Sequence, residues 1–284
     1  MKWKIFKLIP YNLFLKIRIW FICTFLPNKL CSNRTPEQKS GYELSFFDDF
    51  DKLDYSVWQN YPYFGFRYHP GNIVDKNIAP FQYHDENCVS VNNSLLRLEC
   101  NNFPKDILHI DWDGKDWGEY KIPYRTGWVQ TLPNTFEQMY GYFEIRSKSP
   151  NSGGTWPAFW LASTESWPPE IDIFEIYTSD GQTRSTSTIH WGKDPGHPMT
   201  GFGHKTLPLN KEFSVFGCDW NREIIKIYYN GWLVRVFPTP NDFIYKMNII
   251  INNAVQTDEF GKNRNEIISP NYFEVDYVKV WKKI

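Results

Sequence analysis

With 284 residues, the chain is long enough for one large all-β domain or two small domains. Its formal net charge of -1 offers no basic stripe for a nucleic acid, so no nucleic-acid partner is expected. Aromatic residues make up 18% of the chain, with 13 Trp and 17 Tyr, more than one core needs and in keeping with rings that line a groove.

The first segment is basic, then apolar. Lys2, Lys4, Lys7, Lys16 and Arg18 lead into "IWFICTFL", residues 19 to 26. Eight apolar residues are too few to cross a bilayer. No A-x-A site follows, and Ile22 spoils a lipobox before Cys23. Two readings stay open: an export signal, and an uncleaved amphipathic segment on a membrane surface. Membrane contact is therefore expected only through residues 1–33. "NRTPEQKSG" then reads as a polar linker, which divides the chain into residues 1–40 and a domain at 41–284.

From residue 42 onward strand signals dominate. "YELSFFDDF" alternates loosely, and "NCVSVNNSLLRLEC" is two β runs around an Asn-Asn-Ser turn. "MYGYFEIRSKSP" places Tyr142, Glu144 and Arg146 on one face, Phe143 and Ile145 on the other. "EIIKIYYNGWLVRVF" is two runs joined by Asn230-Gly231, a strong hairpin signal. "FEVDYVKVW" alternates to the end, with Phe273, Val275 and Tyr277 opposite Glu274, Asp276 and Val278. No segment shows a capped 3.6-residue period, and no repeat of 20 to 50 residues occurs. Many short strands with Gly, Pro and Asn turns predict an all-β fold, a sandwich or barrel. Residues 61–86 form a long loop, and loops of that length in a compact domain usually serve function.

The five cysteines include no CxxC pair, so no zinc site is expected. Cys88 and Cys100 flank the first hairpin and fit either two buried thiols or a disulfide.

The most informative stretch is "WPPEIDIFEIY", residues 167 to 177, which sets three acids among apolar residues. In a strand Glu170 and Asp172 share a face, while Glu175, an odd step away, points to the other. One extra residue near Ile173-Phe174, a β-bulge, brings Glu175 back to the acid face. Three close carboxyls raise the pKa of at least one, which suits a general acid beside an ionised partner. A pair about 5–5.5 Å apart is the arrangement of a retaining glycosidase. Trp156, Trp160, Trp167 and Trp191 lie near these acids in the sequence and fit a glycan cleft, with Trp160 assigned to the core.

In order along the chain, "FFDDFD", "LDYSVW", "QYHDENCVSVNNSLLRL", "YRTGWVQT", "MYGYFEIRSKSP", "GGTWPAFWLAS", "EIDIFE", "EFSVFGCDWNREIIKIYYNG" and "FEVDYVKVWK" resemble the family 16 glycoside hydrolases. The resemblance covers nearly all of residues 42–284. It implies a two-sheet β-jelly roll with a carbohydrate-binding cleft. It also implies a retaining endo-glycanase acting on a β-linked polysaccharide, a β-1,3- or β-1,3-1,4-glucan first. Glu170 would be the nucleophile, Glu175 the acid/base, and Asp172 the residue that tunes the nucleophile. The E-x-D-x-x-E spacing is similar to the bulged branch, which includes laminarinases, agarases and carrageenases. Trp156 and Trp167 would line the cleft, and His190 would face the leaving-group side. No cofactor is expected, though a structural calcium ion near Asp49 and Asp276 fits the family. A secreted or cell-surface monomer is implied. The chain departs from the laminarinase pattern at Pro169, Ser214 and Gln256-Thr257, and lacks a Glu before Gln82-Tyr83. These departures speak against strict β-1,3-glucan specificity. Transglycosylation, or glycan binding without catalysis on the same fold, are the competing functions.

Overall fold

A computed structural model describes residues 2–30, 41–62, 82–110, 116–192, 198–256 and 270–284. It opens with a helix, α1 (Lys2–Phe25), followed after the linker by strands β1 (Tyr42–Asp48), β2 (Gln82–His84), β3 (Val89–Val91), β4 (Leu96–Ile110), β5 (Asp116–Thr126) and β6 (Trp128–Gln130). Next come β7 (Gly141–Lys148), β8 (Thr155–Ala162), β9 (Glu170–Glu175), β10 (Arg184–His190) and β11 (Met199–Lys205). The chain ends with β12 (Ser214–Trp220), β13 (Ile224–Tyr229), β14 (Trp232–Pro238), β15 (Asn248–Val255) and β16 (Tyr272–Lys283).

The strands form two sheets. The larger has ten described strands in the order β14-β13-β12-β7-β16-β4-β5-β2, with β1 added on β16 and β3 on β4. The smaller has six, in the order β11-β10-β9-β8-β15-β6. Both predicted hairpins form. β3 pairs with β4 around residues 92–95, and β13 pairs with β14 across Asn230 and Gly231. Those two residues have φ of 45° and 77°, the left-handed pair that a two-residue hairpin turn requires.

Alternation explains what lies between the sheets. Phe143 and Ile145 of β7 are fully buried, as are Phe159 and Leu161 of β8 and Ile249 and Ile251 of β15. With Phe216, Phe273 and Val275 they form one apolar cluster, the layer that holds the sandwich together. The alternation expected along β16 fails halfway. Phe273 and Val275 are in the core, but so are Val278 and Val280, while the Tyr277 hydroxyl donates to Glu144 Oε1 at 3.1 Å. A register shift between Val275 and Tyr277 against β7 is the cause, since one extra residue reverses the phase of a strand. Asp276, at that shift, is ion-paired with Arg146.

Helix α1 corrects the reading of the N-terminus. The apolar window runs from Leu8 to Phe25, 18 residues, long enough by length and composition to cross a membrane. Lys16 and Arg18 interrupt it in sequence but not in space. Asn12, Leu15, Ile19, Ile22 and Cys23 are buried at helical spacing against the sandwich, so a 3.6-residue period is present after all. Among the described cysteines, Cys23, Cys88, Cys100 and Cys218 are buried free thiols, so Cys88 and Cys100 form no disulfide. Most of the predicted loop at 61–86 lies outside the described residues, and its end forms β2. Residues 193–197 also lie outside them, and 199–205 form strand β11.

Candidate active site

The site is built on β9, a central strand of the smaller sheet. Its apolar side chains turn inward: Ile171, Ile173 and Phe174 are all fully buried, and the Phe174 ring lies 4.5 Å from that of Phe216. Two consecutive inward residues are not possible in a regular strand. The pairing with β8 shows how they arise. Phe174 stands opposite Phe159 and Asp172 opposite Trp160, so Ile173 is the extra residue. The shift against β10 falls at the same place, with Glu175 opposite Thr186 and Asp172 opposite Thr188. The bulge predicted from the odd spacing is therefore present, and Glu170, Asp172 and Glu175 line one floor.

Each acid has its own partners. Trp167 Nε1 donates to Glu170 Oε2 at 2.7 Å. His190 Nε2 lies 3.3 Å from Glu170 Oε1 and 3.2 Å from Asp172 Oδ2. Thr188 Oγ1 donates to Glu175 Oε2 at 2.8 Å, and the Tyr177 hydroxyl reaches Glu175 Oε1 at 3.4 Å. Burial pushes all three carboxyls up. Glu170 rises to about 8, driven first by loss of solvent and then by the charge of Asp172, against the lowering effect of His190 and Trp167. Asp172 is raised well above the usual carboxylate range by burial and by Glu175. Glu175 is raised by burial, and Thr188, His190, Tyr177 and Trp156 oppose the rise. Burial and mutual repulsion favour the protonated forms, so the three carboxyls share at least one proton more readily than exposed ones would, the condition for one to act as an acid beside an ionised partner. Glu170, Asp172 and His190 also place donor atoms within 4.8 Å of one another, the one such group among the described residues that could hold a metal ion. Asp49 and Asp276 join no such group there.

The acids lie in a cleft of about 1000 Å³. Alternate residues of each strand supply its walls, even-numbered on β8, β15 and β10 and odd-numbered on β11. β8 contributes Trp156 and Trp160, β15 Asn252 and Ala254, β10 Arg184 and Thr186, and β11 Met199, Gly201 and Gly203. The Trp156 ring lies 5.3 Å from that of Tyr177. Trp160 is the correction here. It is half-buried and lines the cleft rather than the core, with Nε1 donating to Asn252 Oδ1 at 2.8 Å and its ring edge-on to Trp128 at 5.5 Å.

Residues 80–265 match the family model described as glycosyl hydrolases family 16. The chain belongs to that family. Among curated relatives it is 29% identical over 196 residues to an endo-1,3-1,4-beta-glycanase, ExsH, of Rhizobium meliloti, covering 69% of this chain and 40% of that protein. It is 30% identical over 159 residues to a second endo-1,3-1,4-beta-glycanase of that organism, EglC, covering 56% of this chain and 33% of that one. The chain thus spans less than half the length of these two relatives. It is also 29% identical over 194 residues to a glucan endo-1,3-beta-glucosidase of Cryptopygus antarcticus, covering 58% of this chain and 70% of that protein. The fold is that of the laminarinase catalytic domain of Thermotoga maritima, with a TM-score of 0.69, 23% identity, and 86% and 99% of the two chains covered.

The structure places Glu170, Asp172, Glu175, Trp156 and His190 together in one cleft. Trp167 sits on the rim, more than half exposed, held through Glu170. His190 touches Glu170 and Asp172 and is near enough to Glu175 to lower its pKa. Sequence reasoning passed over Thr188, Tyr177, Asn252 and Arg184. Thr188 and Asn252 carry a signal in their even spacing from residues already on the floor, but polar residues in strands are too common for spacing alone to select them.

Proposed function

We propose that this family 16 chain is a retaining, endo-acting glycoside hydrolase that cleaves a β-linked polysaccharide, a β-1,3- or β-1,3-1,4-glucan first. The observation that carries this reading is the bulge at Ile173, which puts Glu170, Asp172 and Glu175 on one floor of an open cleft. Six strands at ~4.8 Å spacing make that floor roughly 24 Å wide, room for several sugar rings on either side of the acids and hence for cutting within a chain. Trp156 and Trp160 offer flat apolar faces to those rings.

In the first step Glu170, as carboxylate, bonds to the anomeric carbon while the glycosidic C–O bond breaks and Glu175 gives its proton to the departing oxygen. In the second, Glu175 takes a proton from water. The water oxygen bonds to the anomeric carbon, and the bond to Glu170 breaks. Asp172 and His190 flank Glu170 and redistribute charge and proton as it switches between the two states. The curated relatives named as endo-1,3-1,4-beta-glycanase and glucan endo-1,3-beta-glucosidase support the choice of glucans. A polymer substrate too large to enter a cell supports a location outside it, secreted or at the cell surface.

The test is a reducing-end assay with the full chain on laminarin, mixed-linkage glucan, agarose and carrageenan, with Glu170→Gln as control. Release on a glucan that is absent in the variant, with the β anomer as first product by proton NMR, is expected. An α anomer overturns retention. Silence on every polymer, with retained binding to one, turns the reading to a glycan-binding protein. Products longer than the substrate point to transglycosylation.

A further inference from the structure

The proposed activity makes no use of α1. This helix runs along the side of the sandwich where both sheets end, against the edge strands β14 and β11. An edge strand presents unpaired backbone N–H and C=O groups. Asn12 meets a pair of them on β14. Its Nδ2 donates to Val236 O at 2.9 Å and its Oδ1 accepts from Val236 N at 2.9 Å, so one buried amide substitutes for a neighbouring strand. Arg18 Nη2 donates to Leu233 O at 2.6 Å. On β11 the Cys23 thiol donates to Lys205 O at 3.5 Å, and Lys205 Nζ donates to Thr24 Oγ1 at 3.0 Å. Ile19 and Ile22 are part of the main core cluster. A leader destined for removal has no need of contacts of this kind.

The other side of α1 is exposed and, between Leu8 and Phe25, apolar except for Thr24. Leu13, Phe14, Ile17, Trp20, Phe21 and Phe25 are all exposed. At about 100° per residue these positions fill an arc of roughly 140°, and the buried residues fill the opposite arc. Lys16 and Arg18 fall at the two seams between the arcs. A basic residue on each seam with bulky apolar residues between them is the layout of a helix lying in a membrane interface. Charge argues for the same occupant. No Asp or Glu occurs before Glu37, while Lys2, Lys4, Lys7, Lys16 and Arg18 all lie in the helix. A second copy would bring like charges together, whereas anionic headgroups attract them. A spanning helix would need its docked face, with Asn12, released from β14.

We propose that α1 remains part of the folded protein and lies in the plane of an anionic membrane surface, one face clamped to β14 and β11 and the other sunk in lipid. β11 also lines the cleft at Met199, Gly201 and Gly203, so one wall of the cleft is held beside the bilayer.

The test uses the full chain and vesicles of phosphatidylcholine, with or without phosphatidylglycerol, floated on a density gradient. Flotation with the anionic vesicles at least about ten-fold above the neutral ones is expected, with α1 present by intact mass. The combined variant Leu13→Gln, Ile17→Gln, Phe21→Gln should lose that flotation and keep its melting temperature. Asn12→Ala, which leaves the apolar face intact, should lower the melting temperature. Flotation unchanged by the triple variant overturns the proposal. So does a dimer of the full chain that the triple variant dissociates, or a mass that lacks α1. An N-terminal tag shielded from protease added outside the vesicles would show a spanning helix instead. No glycan is used in these assays, so their failure is distinct from failure of the enzymatic reading.

Discussion

Thr188 stands opposite Asp172 in the register of β9 and β10, yet its hydroxyl donates to Glu175 Oε2 at 2.8 Å. The bulge at Ile173 accounts for this, because it returns Glu175 to the face and the reach of a residue paired further up the strand. The bond favours the charged form of Glu175 and holds down a pKa that burial raises. Thr188→Val keeps the shape and removes the donor. Glu175 then keeps its proton to higher pH, and the alkaline limb of kcat should move up by about one pH unit. An alkaline limb that stays in place would remove Thr188 from the tuning of the acid.

Glu170 links the site to stability. Its ordinary value of 4.5 rises to about 8 in the folded protein. A raised folded pKa contributes stability that is fully present below 4.5 and is lost as pH climbs through 8. Glu170→Gln removes that dependence. The variant should melt higher than the parent at pH ~8, by several degrees, with little difference near pH ~4.5. Turnover should fall by roughly 10³-fold or more. A variant that gains no heat resistance at alkaline pH would mean that Glu170 titrates as an ordinary carboxyl.

Glu175→Ala separates the acid role from the nucleophile role. A departing phenolate needs no proton, so an activated aryl glycoside should be turned over far better than the polysaccharide by this variant. Rates on both substrates decide it, and an equal loss on each would take the acid role from Glu175.

Trp160 is expected to act in binding. Trp160→Ala removes a half-buried ring and its bond to Asn252 from the cleft wall. As a platform for a sugar ring, Trp160 should contribute to binding, so KM should rise about ten-fold with kcat within about two-fold. A change in melting temperature with no change in KM would return Trp160 to the core.

Much of this molecule is legible from side-chain alternation alone. The face of β7, both hairpins and the bulge in β9 follow from a period of two and from one odd step between acids. The failures share a cause: a local reading cannot see where a strand or helix docks. Trp160, between Phe159 and Leu161, looks apolar enough for the core, yet counting by two from Trp156 puts it on the cleft wall. Tyr277 was phased with Val275 because nothing in "FEVDYVKVW" marks the extra residue that the pairing with β7 reveals. Lys16 and Arg18 broke the apolar run for a linear reading, whereas a helix moves them to the seams of its faces. The long β4–β5 hairpin has Pro104 and many charged residues, and no alternation betrays it.

The cover that α1 places on β14 bears on how the domain is handled once cut free. A chain trimmed to residues 41–284 leaves the backbone groups of Leu233 and Val236 without Asn12 and Arg18, and bares the apolar patch beneath Ile19 and Ile22. An open edge of this kind is a template for strand-to-strand addition. The isolated sandwich would thus be prone to dimerise or precipitate through its largest sheet, a fault of the truncation rather than of the fold.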